Sequence, residues 1–205
     1  MGVEHLVPDV GVSMLDDLLS KIRACDLCSN ELPLGPRPVV QAARTARLLI
    51  IGQAPGRKVH ESGIPWNDLS GERLRSWLNI SPEVFYDPSQ IAIMPMGFCY
   101  PGVSKSGGGD APPMKRCAPT WHHRVRASLP DIGLTLLVGS HAQRGYLPRD
   151  KRSMTERVKA FDRSSTVWAL PHPSWRVVAW MRKNPWFEAD LLPTLRTIIA
   201  STLAD

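Results

Sequence analysis

Four short apolar runs constrain this chain more than any other feature. ARLLIIG (Ala46–Gly52), IAIMPM (Ile91–Met96), LTLLVG (Leu134–Gly139) and TVWALP (Thr166–Pro171) are predominantly apolar without polar–apolar alternation, as strands buried on both faces must be. Segments of helical pattern separate or follow them: Gly71–Leu78, Ala118–Leu129, Ser140–Leu147, Ser153–Phe161 and Pro185–Ser201. Pro193 is expected to kink or split the last of these, because it lacks the N–H that a helix interior uses. Ahead of them, SMLDDLLSKIRAC sets Leu15, Leu18, Leu19 and Ile22 on one helical face, with Ser13 and Asp16 in capping-box spacing. A proline-rich connector, LPLGPRPVV, leads into the first strand.

Strand and helix in alternation predict an α/β fold: a three-layer sandwich around a central four-stranded parallel sheet. The 205 residues suit one domain spanning 1–205, and no internal repeat is present. In such sheets the ligand crevice lies beyond the carboxyl ends of the strands. GQAPG (Gly52–Gly56), GFCYPG (Gly97–Gly102) and HPS (His172–Ser174) all fall at those ends, so the topology gathers them into one neighbourhood.

Charge and termini narrow the setting. Twenty-five Lys and Arg against nineteen Asp and Glu give a net charge of +6, which permits a polyanionic partner without requiring one. No apolar run approaches membrane-spanning length. The start, MGVEHLVPDVGV, has neither a basic lead nor an apolar signal core, and Leu6 stands where a myristoylation motif needs Ser or Thr. The expectation is a cytoplasmic monomer with no membrane association.

Disulfides are disfavoured in that compartment, so the four cysteines call for another use. Cys25 and Cys28 form a C-x2-C turn, and Cys99 and Cys117 flank the loop YPGVSKSGGGDAPPMKR. CDLCSN is too polar for a core segment, and no cysteine is left over. Four thiolates on one metal centre are the better reading; zinc and [4Fe–4S] both accept such a set.

Taken in order, the C-x2-C pair, GQAPG, GIPWNDLSGERL (Gly63–Leu74), the two spaced cysteines and HPS resemble the uracil-DNA glycosylase superfamily, closest to its iron–sulfur branch, family 4. The resemblance covers nearly the whole chain. It implies a monofunctional DNA glycosylase that hydrolyses the N-glycosidic bond of uracil or a related deaminated base in DNA, in base excision repair. It also implies that Cys25, Cys28, Cys99 and Cys117 hold a structural [4Fe–4S] cluster, with zinc as the alternative. Trp66 stands where the family's phenylalanine stacks on the extruded base. His172 stands where its histidine supports the leaving base, and Ser174 lies in its DNA-backbone loop.

The residue types suit that chemistry on their own terms. An extruded base can be held on an aromatic face. Its departure leaves negative charge on a base oxygen, which donors in a water-poor site stabilise selectively. His172 is one such donor. Backbone N–H groups of the loop formed by Gln53, Ala54, Pro55 and Gly56 are others.

Two positions depart from the family pattern. Its first-motif glutamate is Gln53 here, and an amide neither acts as a base nor carries charge. The family-1 branch also has glutamine there, but follows it with a catalytic aspartate where this chain has Ala54. The base-reading asparagine of family 4 falls on Pro95. Nearby residues offer compensation: Asp68 to place water or offset charge on the sugar, and Asn67 to read the base edge. Asp68 and Ser70 equally suit a cap for the helix beginning near Gly71. Glu61 reads as a solvated loop charge.

After HPS, Trp175 or Arg176 suits a wedge for the gap left by a flipped base. Arg176, Arg182 and Lys183 suit phosphates, while Val177, Val178, Trp180 and Met181 read as the inner face of a helix. His122 and His123 point about 100° apart on a helix and do not share one ion; they read as surface or supporting residues. SGGGD is expected to be a flexible loop, since it lacks the Lys-Ser/Thr of a phosphate-binding loop. Gln53 and Pro95 also motivate a second reading, a DNA-binding module that kept the pocket and lost the chemistry. An enzyme acting on free nucleosides or RNA is a third.

Overall fold

The computed structural model describes residues 10–105 and 107–204, with side chains from residue 14 onward. Leu6 and the rest of the N-terminal reading lie outside the described residues. Four strands form one sheet: β1 (Leu48–Ile51), β2 (Ile91–Ile93), β3 (Leu134–Val138) and β4 (Val167–Leu170), in the order β2-β1-β3-β4. Every pairing is parallel, with Ile50 opposite Ile93 and Leu136, and Val138 opposite Leu170. The predicted α/β sandwich is the observed one.

The helices are α1 (Val10–Arg23), α2 (Arg57–Ser62), α3 (Leu69–Leu78), α4 (Pro82–Phe85), α5 (Cys117–Ala127), α6 (Ser140–Tyr146), α7 (Met154–Lys159), α8 (Val177–Lys183) and α9 (Leu192–Ala204). Among the described residues no helix is long and apolar enough to cross a membrane. Helix α1 begins at Val10, so Ser13 lies inside it and not at its cap as the spacing suggested; its side chain is outside the description. The last helical stretch runs on through Pro193 into α9 without a break, so the expected split is not seen. A π-turn over Phe187–Leu191 precedes the proline, closed by a bond from the Leu192 N–H to the Phe187 carbonyl, which shifts the register just where proline has no donor.

Period-two alternation along each strand divides the core between the two faces of the sheet. Leu48, Ile50, Ile91, Ile93, Leu134 and Leu136 pack with Trp77 of α3 and with Phe187 and Leu195. Leu49, Ile51, Ala92, Met94 and Leu137 pack with Leu15, Leu18, Leu19 and Ile22 of α1 and with Val125 of α5. The proline-rich connector covers the outer edge of β2: Val39 donates to Phe98, and Gln41 exchanges bonds with Ile93 in an antiparallel bridge. That removes an exposed sheet edge.

From β1 the chain crosses to β2 on one side, then back over β1 to β3 on the other. That reversal opens a crevice beyond the strand ends. Pairing also continues past the strands, since Met96 and Gly97 donate to the carbonyls of Gly52 and Gln53 at 3.0 Å.

Candidate active site

A cavity of about 630 Å³ occupies this crevice. The Gly52–Gly56 loop, Pro65, Trp66, Asp68, Pro95, His172 and Ser174 line it, with a glycine-rich segment around Asp110 on the far side. Of the three motifs expected at the strand ends, GQAPG and HPS line this cavity, joined by Pro65, Trp66, Asp68 and Ser70 of GIPWNDLSGERL, whereas no residue of GFCYPG is in its lining.

Trp66 adopts a left-handed backbone conformation (φ 56°), uncommon for a bulky residue and held only where neighbours enforce it. Its indole lies on Gly52, close enough that a β-carbon there would sit 2.8 Å from the ring, and its carbonyl presses on Gly71. Arg75 donates to that carbonyl at 3.4 Å. Gly52 and Gly71 thus give the indole its seat by having no side chains.

His172 stands beside it, ring centroids 5.7 Å apart and 33° between planes. Gly139, with φ +87°, makes room behind the imidazole; a β-carbon there would lie 3.2 Å from that of His172. Arg73 of α3 holds the loop through the Pro173 carbonyl at 2.7 Å. Burial pushes the His172 imidazole below its ordinary range, opposed by the Asp68 carboxylate and reinforced by His141. It is a neutral ring at pH 7.

The Gln53 side chain is occupied with structure: its amide donates to the Ala111 carbonyl at 3.2 Å. Among the described residues the N–H groups of Gln53, Ala54 and Gly56 have no protein acceptor, whereas Pro55 has none to give. Residues 107–110 of SGGGD belong to a closed turn. Val103 and Asp110 pair as an antiparallel bridge, and Ala111 donates to Gly102 at 2.8 Å. Gly107, Gly108 and Gly109 supply the positive φ angles that turn it. The Arg176 guanidinium donates to the Gly108 carbonyl, tying this hairpin to the HPS loop across the cavity. Arg176 is therefore a latch between two loops, and its guanidinium also lies 5.0 Å from the ring centroid of Trp175, which stands 73% exposed at the rim.

Asp68 caps α3 as one expectation had it, its Oδ1 accepting from Gly71 N at 2.8 Å, and it also lines the cavity. Asn67 does not join it. Its side chain is exposed and outside the cavity because the 64–67 turn, closed by Asn67 N to the Ile64 carbonyl, directs it outward. The expectation that Asn67 reads a base edge is corrected here. Glu61 pairs with the exposed Arg57 on α2. Val178 is exposed, unlike its buried neighbour Val177, which corrects its place on the inner face of α8.

Of the two expectations for His122, surface or supporting residue, burial rules out the first. It is buried, with Nε2 3.1 Å from the Pro95 carbonyl and Nδ1 2.6 Å from the Tyr146 hydroxyl. The carbonyl can only accept, so Nε2 carries the proton and Nδ1 accepts from the phenol. Burial pushes the imidazole down to about 4. His123, one residue on, is exposed.

A family model described as the uracil DNA glycosylase superfamily matches residues 39–196. The chain belongs to the uracil DNA glycosylase superfamily. The matched span contains every strand, the whole cavity wall and both Cys99 and Cys117. Cys25 and Cys28, at the end of α1, lie before it. Tertiary structure joins the two pairs: all four cysteines line one small apolar cavity with Leu27, Phe98 and Trp121. The Phe98 N–H donates to Cys117 sulfur at 3.3 Å, the Arg37 N–H donates to Cys99, and the buried Trp121 Nε1–H has no acceptor. Among the described residues no three His, Cys or carboxylate side chains close on a common point as a single ion would demand. The residues that border this cavity have the donor set and the apolar walls that a thiolate-bound group needs.

Sequence reading missed Asp110, Arg73 and Gly139. Asp110 enters the cavity only because the hairpin folds back, and no local pattern around it carries that pairing. Gly139 had one signal, a glycine ending a buried strand.

Proposed function

We propose that the chain is a monofunctional DNA glycosylase that hydrolyses the N-glycosidic bond of uracil or a related deaminated base in DNA, as in base excision repair. The pairing of Trp66 and His172 in the strand-end cavity carries this reading. A flipped base lies against the indole, a contact worth roughly 1–3 kcal/mol. As the glycosidic bond breaks, the neutral His172 ring and the unpaired N–H groups of the Gln53–Gly56 loop donate to the charge developing on the base. Trp175 enters the gap in the stack, and Ser174 meets the DNA backbone.

In this reading Cys25, Cys28, Cys99 and Cys117 hold a [4Fe–4S] cluster, with zinc the alternative. The group supplies a structural cross-link between the end of α1 and the segment joining β2 to α5. The N–H donors to Cys99 and Cys117 and the unpartnered Trp121 indole support it. The partner is DNA, the working unit a single-domain cytoplasmic monomer.

Oligonucleotides carrying uracil, hypoxanthine or xanthine, in single and double strands, test the reading, with alkali revealing abasic sites. Release of at least one of these bases is expected from metal-replete protein. No release from any would refute it. Gln53, its amide engaged with Ala111, and Pro95, without a side-chain amide, favour a second reading: a module that binds such DNA without cleaving it. Salt-sensitive binding with no release would establish that reading instead.

A further inference from the structure

A carboxylate near the anomeric carbon assists hydrolysis of an N-glycosidic bond by activating water or offsetting the sugar's charge, and Gln53 is not one. Two carboxylates meet over the bare backbone of the first loop. Oδ2 of Asp110 and Oδ2 of Asp68 lie 3.3 and 3.9 Å from the point where a β-carbon on Gly56 would sit. They differ in what else they do. Asp68 has one oxygen committed to the cap of α3. Among the described residues Asp110 has no hydrogen-bond partner.

We propose that Asp110 is the catalytic base of this site, and that Gln53 and Arg176 are positioning residues that hold its hairpin over the cavity. The inference rests on the glycosylase reading above. Asp110 Oδ2 takes a proton from a water whose oxygen forms the new bond to the anomeric carbon. The bond from that carbon to the base nitrogen breaks, its electron pair leaving with the base. The base takes up a proton in turn, so water is divided between sugar and base and nothing else is consumed. Asp68, fixed by its helix cap, sets its carboxylate near His172.

The surroundings suit that role. Asp110 is exposed at the cavity mouth, yet the partial desolvation of its carboxyl there and the neighbouring Asp68 carboxylate both push it above the ordinary aspartate range. Tyr100 also feels Asp110, with Arg57 and Glu61 of α2 on its other side; Arg176 sits at the hairpin tip, and His172 faces Asp68. A carboxylate whose pKa is raised is a stronger base. Gln53 fixes the hairpin at Ala111 and Arg176 fixes it at Gly108, so Asp110 is braced on both sides.

Single-turnover base release from uracil-containing DNA, followed against pH alongside DNA affinity, tests this. Wild-type protein should lose rate as pH falls, with a limb above the ordinary aspartate value of about 3.9. Asp110→Asn should lose at least about 10²-fold in rate and lose that limb, with DNA affinity unchanged. Asp110→Glu should recover part of the rate, and Asp110→Ser provides a second removal should the asparagine variant fold poorly. Gln53→Ala should slow release less and keep the limb. Folded Asp110→Asn or Asp110→Ser with the wild-type rate and limb overturns the assignment while leaving the glycosylase reading intact. Wild-type protein that releases no base overturns both.

Discussion

The imidazole of His172 and the indole of Trp66 form one continuous wall, 5.7 Å apart at their centroids, although they lie 106 positions apart in the chain with three strands between them. One ring comes from the loop after β1 and the other from the loop after β4. The wall exists because the sheet brings those two strand ends to the same edge. Replacing His172 with Asn should therefore reduce base release by roughly 10²–10³-fold, the usual cost of losing a donor to developing charge. His123→Ala, on the exposed side of α5, should leave release unchanged in the same assay.

The seat of Trp66 depends on a residue that does no chemistry. A methyl group on Gly71 would overlap the Trp66 carbonyl oxygen, which is backbone and cannot swing aside. Gly71→Ala should cost about 2–3 kcal/mol, seen as a fall in Tm of about 5–10 °C, and should lower base release by displacing the indole. Thermal melts and release assays on the same preparation check both.

His122 gives the fold a pH dependence with a definite sign. Its folded-state pKa, about 4, lies below the ordinary 6.5. The unfolded chain thus binds a proton over a range where the folded chain does not. The stabilisation is complete above about pH 6.5 and is lost as pH falls toward about 4, by roughly 3 kcal/mol in all. Burial depresses His172 and His141 too, adding losses of the same sign. Denaturation midpoints measured across this window should fall with acid, and His122→Gln should flatten the slope.

The four cysteines share a cavity wall, so each should matter to one bound group. Serine at Cys28, Cys99 or Cys117 should each lower bound iron, bleach the brown colour and reduce Tm. Elemental analysis reads the metal directly. Zinc in place of iron, with no colour, would redirect the assignment to a tetrahedral site.

Trp175 is the exposed aromatic beside the cavity, while Arg176 is held by the hairpin. Trp175→Ala should slow release from duplex DNA more than from single strands, since only a duplex leaves a gap to fill. An equal loss on both substrates would assign the wedge elsewhere.

Local pattern determined much of this protein. Apolar runs without alternation set four parallel strands, because helices cover both faces of the sheet. Glycine and proline after those runs marked where a cavity opens. The order of motifs carried the superfamily, and Trp66, Asp68 and His172 were legible as cavity residues since each lies within a motif. Tertiary structure decided the rest. Asn67 turned outward because the left-handed Trp66 and the 64–67 turn set its direction, which neighbouring letters do not encode. His122 went inward, where Pro95 and Tyr146 together satisfy both ring nitrogens. Arg176 became a latch, and Asp110 reached the cavity from a segment that reads as a flexible loop. Periodicity and spacing report which face of an element is buried, because burial repeats with the geometry of the backbone. Which two distant side chains meet depends on loop closure and strand order, and those contacts form only once the sheet has assembled.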